Sequence, residues 1–146
     1  MKAKIGDLNN KLPYKTNEFD IVIARDILEH IVNVDLAMNE IKRVLKKEGI
    51  FLIDLPNEFD LESRINILLG KGITKKRWFQ NSKEWNYPHV RFYTRSGVKE
   101  LMREKKFEIL KDLSFLSSYY GITLLGRLLP QLFCGGIIFI ARNTKK

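Results

Sequence analysis

Phe19-Asp20-Ile21-Val22-Ile23-Ala24 and Ile50-Phe51-Leu52-Ile53-Asp54-Leu55, with Ala37, Ile41, Val44 and Leu45 spaced between them, decide the class of this chain. The first hexapeptide ends in four consecutive apolar residues, three of them β-branched, which is how a strand buried on both faces and placed inside a sheet reads. The apolar residues that follow fall at i, i+4, i+7 and i+8. That spacing predicts a helix with one buried stripe, opened by Asn33 or Asp35 as N-cap and stopped by Gly49. The second hexapeptide reads as another buried strand, closed by Pro56-Asn57. Strand, helix, strand is the crossover unit of a parallel sheet, because two parallel strands need a long connection to start again at the same end. The class is α/β.

Further along, Leu61, Ile65, Leu68 and Leu69 predict a short amphipathic helix broken by Gly70-Lys71-Gly72, and an irregular basic stretch follows. From about Thr94 the spacing Val98, Leu101, Met102 restores a helix. Phe107 to Leu113 offers a strand, Tyr119 to Leu129 reads as an apolar helix ended by Pro130, and Gly136 to Ala141 is the last strand.

A length of 146 residues fits one domain, and 45% hydrophobic with 29% charged residues excludes wholesale disorder. The lone Cys134 cannot close an internal disulfide, and there is no metal-type cysteine spacing, so a reducing cytoplasmic location is expected. No apolar run reaches the roughly 18 residues of a membrane span, and the first seven residues have no signal-peptide core. The net charge of +9 is unevenly placed: Met1 to Asp60 carries −2 and Leu61 to Lys146 carries +11. Such asymmetry reads either as a lysine-rich solvated surface or as a face for an anionic partner, whether nucleic acid, phospholipid surface or phosphorylated substrate.

Gly6-Asp7-Leu8-Asn9, Leu12-Pro13-Tyr14, Phe19 to Ile23, Leu28-Glu29-His30, Arg43 to Gly49 and Pro56-Asn57 together resemble the class I S-adenosylmethionine-dependent methyltransferases. His89 to Thr94 and Gly97 through Ile109 look like that family's late helix and strand, with Lys106 where a typical member has glycine. Glu48-Gly49 likewise stands where Gly-Gly is usual. The resemblance implies a Rossmann-like sheet, mostly parallel with an antiparallel late strand. It divides the chain into a cofactor-side core (1–60), a lid or insertion (61–93) and late helix and strands (94–146). It also implies S-adenosylmethionine as cofactor, yet the family's glycine-rich turn and ribose-binding acid are not found before Asp7. The chain is therefore expected to be truncated at its N-terminal side. Its apolar Phe19 to Ala24 strand would then be left as an open edge to be covered by a complementing chain or a second copy.

By the resemblance, Asp7 and Leu8 match positions that hold the adenine, and the backbone of Ala24 and Arg25 would meet the methionine part of the cofactor. Read from the residues alone, the alternatives are that Asp7 is a turn aspartate and Arg25 a surface cation. Asp26, Glu29 and His30 lie at i, i+3, i+4 and would share a face of one helical turn at the carboxyl edge of the sheet. With His89 they form a possible divalent-cation set that is similar to metal-dependent O-methyltransferases; the alternative is that His30 packs and hydrogen-bonds with no metal. Lys75 to Phe79, Trp85, Tyr87, Phe92 and Tyr93 interleave cations with aromatics, which suits single-stranded nucleic acid, a membrane surface or a substrate lid. No catalytic base is singled out. The function expected is methyl transfer to an unidentified small-molecule, lipid or nucleic-acid acceptor, incomplete in this chain. The alternative is a non-catalytic remnant that binds a partner or nucleic acid.

Overall fold

In the computed structural model, which describes residues 4–72, 83, 86–118 and 123–144, the strand, helix, strand unit forms as the sequence reads. Strand β1 (Phe19–Arg25) leads through a 3-10 turn (Leu28–His30) into helix α1 (Val34–Val44) and strand β2 (Leu45–Pro56). Of the two candidate caps, Asn33 is the one used: its side-chain oxygen accepts the Leu36 N–H at 3.0 Å. Helix α2 (Leu61–Leu68) is capped by Asp60 and helix α3 (Arg95–Glu104) by Thr94, each accepting from the N–H three residues on. Strand β3 (Phe107–Asp112), helices α4 (Thr123–Leu128) and α5 (Pro130–Phe133) and strand β4 (Gly136–Asn143) complete the order.

The strands lie in the order β1-β2-β4-β3. β1 runs parallel to β2, and β4 runs antiparallel to both of its neighbours, so the sheet is mixed with one reversed late strand. Alternate residues of β2 (Phe51, Ile53, Leu55) and β4 (Ile137, Phe139, Ala141) point into one core with Ala37, Met38 and Ile41 of α1 and Val98 and Met102 of α3. Each of these larger side chains, fully withdrawn from water, contributes roughly 1.5–3 kcal/mol.

Four sequence expectations change in the folded chain. β1 is not buried on both faces: it is the open edge expected for a chain lacking the neighbouring strand, with Ile21 58% and Ile23 62% exposed, because no strand among the described residues pairs with its outer side. α1 ends at Val44, before Gly49, because Leu45 already takes extended backbone and opens β2. The apolar positions of α2 form a helix but stay outside the core: within it only Ser63 is buried. Pro130 opens α5 as well as following α4, since at a first helical turn its missing N–H costs nothing. Positions 119–122 of the expected apolar helix lie outside the described residues.

The two glycines replaced relative to the family pattern both mark left-handed backbone: Glu48 has φ +61° and Lys106 φ +56°. Gly49, by contrast, is held by space, since a Cβ there would stand 2.9 Å from Leu45 and from the Lys46 carbonyl. Lys106 follows the last turn of α3, where glycine is the usual residue. Lys106→Gly is expected to stabilise the fold by about 1 kcal/mol, the left-handed strain outweighing glycine's added chain entropy. In thermal unfolding this appears as a rise of about 2–4 °C; an unchanged or lower midpoint would count against the strain.

Candidate functional site

Parallel pairing brings the carboxyl ends of β1 and β2 side by side, with Arg25 opposite Asp54 in the register. Open α/β sheets bind ligands at this edge, and here an open cleft of about 780 Å³ is lined by Arg25, Asp26, Asp54, Glu29, His30 and His89 among others. Asp26 has φ +50°, and its N–H donates to the Asp54 carbonyl at 3.0 Å, which carries the chain sideways out of the strand. Arg25 Nε lies 3.3 Å from Asp54 Oδ2 and 3.5 Å from Asp26 Oδ2, bridging two carboxylates at the cleft rim. Burial pushes the Asp54 carboxyl up; the nearby Asp26 charge adds to this and Arg25 opposes it.

The 3-10 turn Leu28–His30 presents two of the candidate side chains, and a distant segment supplies the third. The N–H groups of Val90 and Arg91 both donate to the Glu29 carbonyl, at 2.9 and 3.1 Å, and the Tyr93 hydroxyl donates to the Leu28 carbonyl at 3.2 Å. Burial pushes the Tyr93 hydroxyl to a pKa of about 12, so it remains a donor. This stapling sets the His30 and His89 rings edge to face with centroids 5.0 Å apart. His30 Nδ1–H donates to the Pro88 carbonyl at 3.0 Å, and His89 Nδ1–H donates to Glu58 Oε1 at 2.5 Å. Each bond leaves Nε2 as the acceptor nitrogen of the neutral ring, the form that takes a proton or ligates a cation. Glu29 is 1% exposed, its Oε1 lies 3.9 Å from His30 Nε2, and its Oε2 is buried without a hydrogen-bond partner. Burial pushes the Glu29 carboxyl up, while its own backbone N–H and then the two histidines partly oppose the shift.

Glu29, His30 and His89 each offer a ligand atom, and these atoms lie within 4.8 Å of one another. Asp26 stands outside this set although it lines the same cleft: its left-handed backbone removes it from the helical turn expected to carry all three. Asp7 is exposed and accepts from the Asn9 N–H at 2.9 Å, the turn-aspartate arrangement, and this bond first of all holds its carboxyl below the usual range. Leu8 is half-buried against the core and Ala24 is part of it, so neither side chain lines the cleft. Sequence reasoning missed Glu58, which is 1% exposed and joins His89 to the Tyr87 hydroxyl, 3.0 Å from Glu58 Oε1. Its place two residues beyond the end of β2, at the ligand-binding edge, was the available signal. Lys75 to Phe79 and Trp85 lie outside the described residues, whereas Tyr87 and Phe92 stack on each other at 6.2 Å.

The family model described as a methyltransferase domain matches residues 1–110. Over 109 residues the chain is 31% identical to the uncharacterized protein MJ1252 of Methanocaldococcus jannaschii, covering 68% of this chain and 43% of the relative. A 74-residue stretch is 36% identical to the sterol 24-C-methyltransferase ERG6B of Gibberella zeae, covering 44% of this chain and 20% of that one. Among solved structures, a S-adenosylmethionine-dependent methyltransferase of Thermotoga maritima, titled a possible histamine N-methyltransferase, superposes with a TM-score of 0.60 at 17% identity, covering 94% of this chain and 62% of that chain. The chain belongs to the class I S-adenosylmethionine-dependent methyltransferase family. It spans less than half the length of the curated relatives it matches.

Proposed function

We propose that the protein transfers the methyl group of S-adenosylmethionine to an acceptor seated in the cleft at the carboxyl ends of β1 and β2. One observation carries this reading: the strand ends that bear Ala24, Arg25 and Asp54 meet a cluster of the buried Glu29 and His89 with the exposed His30 across one open cleft. Cofactor and acceptor would then approach from opposite sides of the same rim. Transfer from the sulfonium is an in-line displacement, for which holding the two reactants aligned supplies most of the rate. His89, oriented by Glu58, is placed to accept the proton that an acceptor hydroxyl or amine gives up.

The uncovered outer side of β1 supports the view that a further strand completes the cofactor pocket. The test is titration calorimetry with S-adenosylmethionine on the chain alone and on the chain mixed with a glycine-rich strand-turn-helix segment able to pair with β1. Binding in the mixture that weakens in Asp7→Ala is the expected result. No heat in either sample favours the other class of function, a binding module without cofactor.

A divalent cation held by Glu29, His30 and His89 is a second reading. It is favoured by the unpartnered Glu29 Oε2 and by the two histidines whose Nδ1 groups are already occupied. Such a cation would polarise an acceptor hydroxyl and lower its pKa.

A further inference from the structure

Two apolar helix faces point away from the core. On α2, Ile65, Leu68 and Leu69 are exposed, Leu68 by 85%, and on α4 Leu124 and Leu128 are 68% and 67% exposed. Spacings of three and four residues put each set on one face of its helix. Both helices pack on α5, and Asn57, just beyond β2, donates to the Gln131 and Cys134 carbonyls at the two ends of the α5 segment. The two faces therefore belong to the end of the sheet where the cleft opens, and the exposed Leu116 lines that cleft.

The segments that carry these faces are predominantly positive, the exposed Glu62 in the first turn of α2 being the exception. No acidic residue occurs from Ser63 to Lys83, where Arg64, Lys71, Lys75, Lys76, Arg77 and Lys83 occur. None occurs from Leu113 to Lys146 either, a stretch that contains Arg127 and Arg142. Arg127 lies over the Phe115 ring at 4.9 Å and is exposed beside Leu128.

We propose that α2 and α4 dock this protein on an anionic phospholipid surface, with the leucines entering the headgroup boundary and Arg64, Lys71 and Arg127 meeting lipid phosphates. Aliphatic side chains flanked by cations fit that surface, since burial of the one and attraction of the other add. A second copy fits poorly, because it would bring cations of the same sign against these. Nucleic acid fits poorly too: stacking needs flat π faces, and the side chains exposed on these faces are aliphatic. With eight and six residues, α2 and α4 would lie in the interface, and no helix of the described residues is long and apolar enough to cross a membrane. Docking here would put the cleft mouth next to the bilayer and give it access to acceptors dissolved there. The proposal stands whether or not the chain binds a cofactor.

The experiment is co-sedimentation of the chain with vesicles of phosphatidylcholine alone and of phosphatidylcholine with phosphatidylserine, at low and high salt. The chain is expected to pellet with the phosphatidylserine vesicles only. Leu124→Ser with Leu128→Ser should weaken binding about tenfold or more without changing charge. Arg127→Gln should weaken it about fivefold. Both changes are at exposed positions, and circular dichroism verifies that the fold is retained. Three results would overturn the proposal. The first is failure of the wild-type chain to pellet. The second is undiminished pelleting of the double serine variant, which means charge alone acts. The third is a dimer in light scattering that the serine variant dissolves while vesicles bind neither protein.

Discussion

Arg43→Ala is expected to lower the free energy of unfolding by about 3 kcal/mol, the scale for removing one member of a largely buried ion pair. The Arg43 guanidinium donates to both Glu40 oxygens at 2.8 Å and also to the Tyr14 and Leu12 carbonyls at 2.9 and 3.2 Å. Glu40 in turn accepts the Leu12 N–H at 2.8 Å. The pair thus clamps the segment that follows Asp7 and Leu8 onto α1, with side chains only 21% and 10% exposed. Truncation leaves the buried Glu40 without its cation and two carbonyls without their donor. Arg43→Lys should recover little, since a single ammonium cannot meet two carboxylate oxygens and two carbonyls at once. The pH response follows from Glu40. The Arg43 hydrogen bond, more than any other cause, holds its carboxyl below the usual range. A carboxyl lowered in the fold contributes stability that is present above its unfolded pKa and lost as pH falls through its folded value. In Arg43→Ala the acid limb of stability should therefore be shallower. Urea unfolding at neutral and acid pH measures both effects; a loss within the about 0–1 kcal/mol of exposed pairs would show that the clamp is solvent-screened.

Glu29→Gln should act in the opposite direction, raising stability at neutral pH by about 1–2 kcal/mol, the penalty of a buried polar group left without a partner. Burial pushes the Glu29 carboxyl up, with Asp26 adding to the shift and the histidines opposing it. A carboxyl raised in the fold contributes stability that is complete below its unfolded pKa and lost as pH rises through its folded value. Glutamine has no proton to lose, so the gain should vanish below the ordinary carboxylate range and be full above the raised one. Thermal unfolding across that window measures it, and a gain independent of pH would point to packing instead. The same variant probes the cation reading by a separate signal. Titration of the wild-type chain with Mn²⁺ should give heat that Glu29→Gln abolishes; absence of heat in the wild type removes the cation and leaves the stability result standing. A buried carboxylate with one oxygen unpartnered is the kind of strain found at functional sites.

The features legible in the sequence are those that depend on near neighbours along the chain. Asn33, one of the two candidate caps, opens α1 because a cap acts on an N–H three residues away. Phe51, Ile53 and Leu55 face the core because side chains of a strand alternate. The replaced glycines at Glu48 and Lys106 fall where the backbone turns left-handed, since φ is a local property. Glu29 and His30 are adjacent, so their common place at the sheet edge was legible as well. The pattern of Leu61, Ile65, Leu68 and Leu69 predicts a helix but not its burial, because amphipathicity states that an apolar face exists and not what covers it.

The sequence by itself determined the α/β class, the strand-helix-strand unit and the methyltransferase family, all written in local spacing and motif. Only the tertiary structure decided that the apolar face of α2 stays outside the core, that Asp26 leaves the cluster, and that Glu58 orients His89 against a ring of the 3-10 turn. Those outcomes depend on groups as far apart as the His30 ring and the Pro88 carbonyl, 58 positions along the chain, joined by hydrogen bonds between loop segments whose path no residue periodicity specifies.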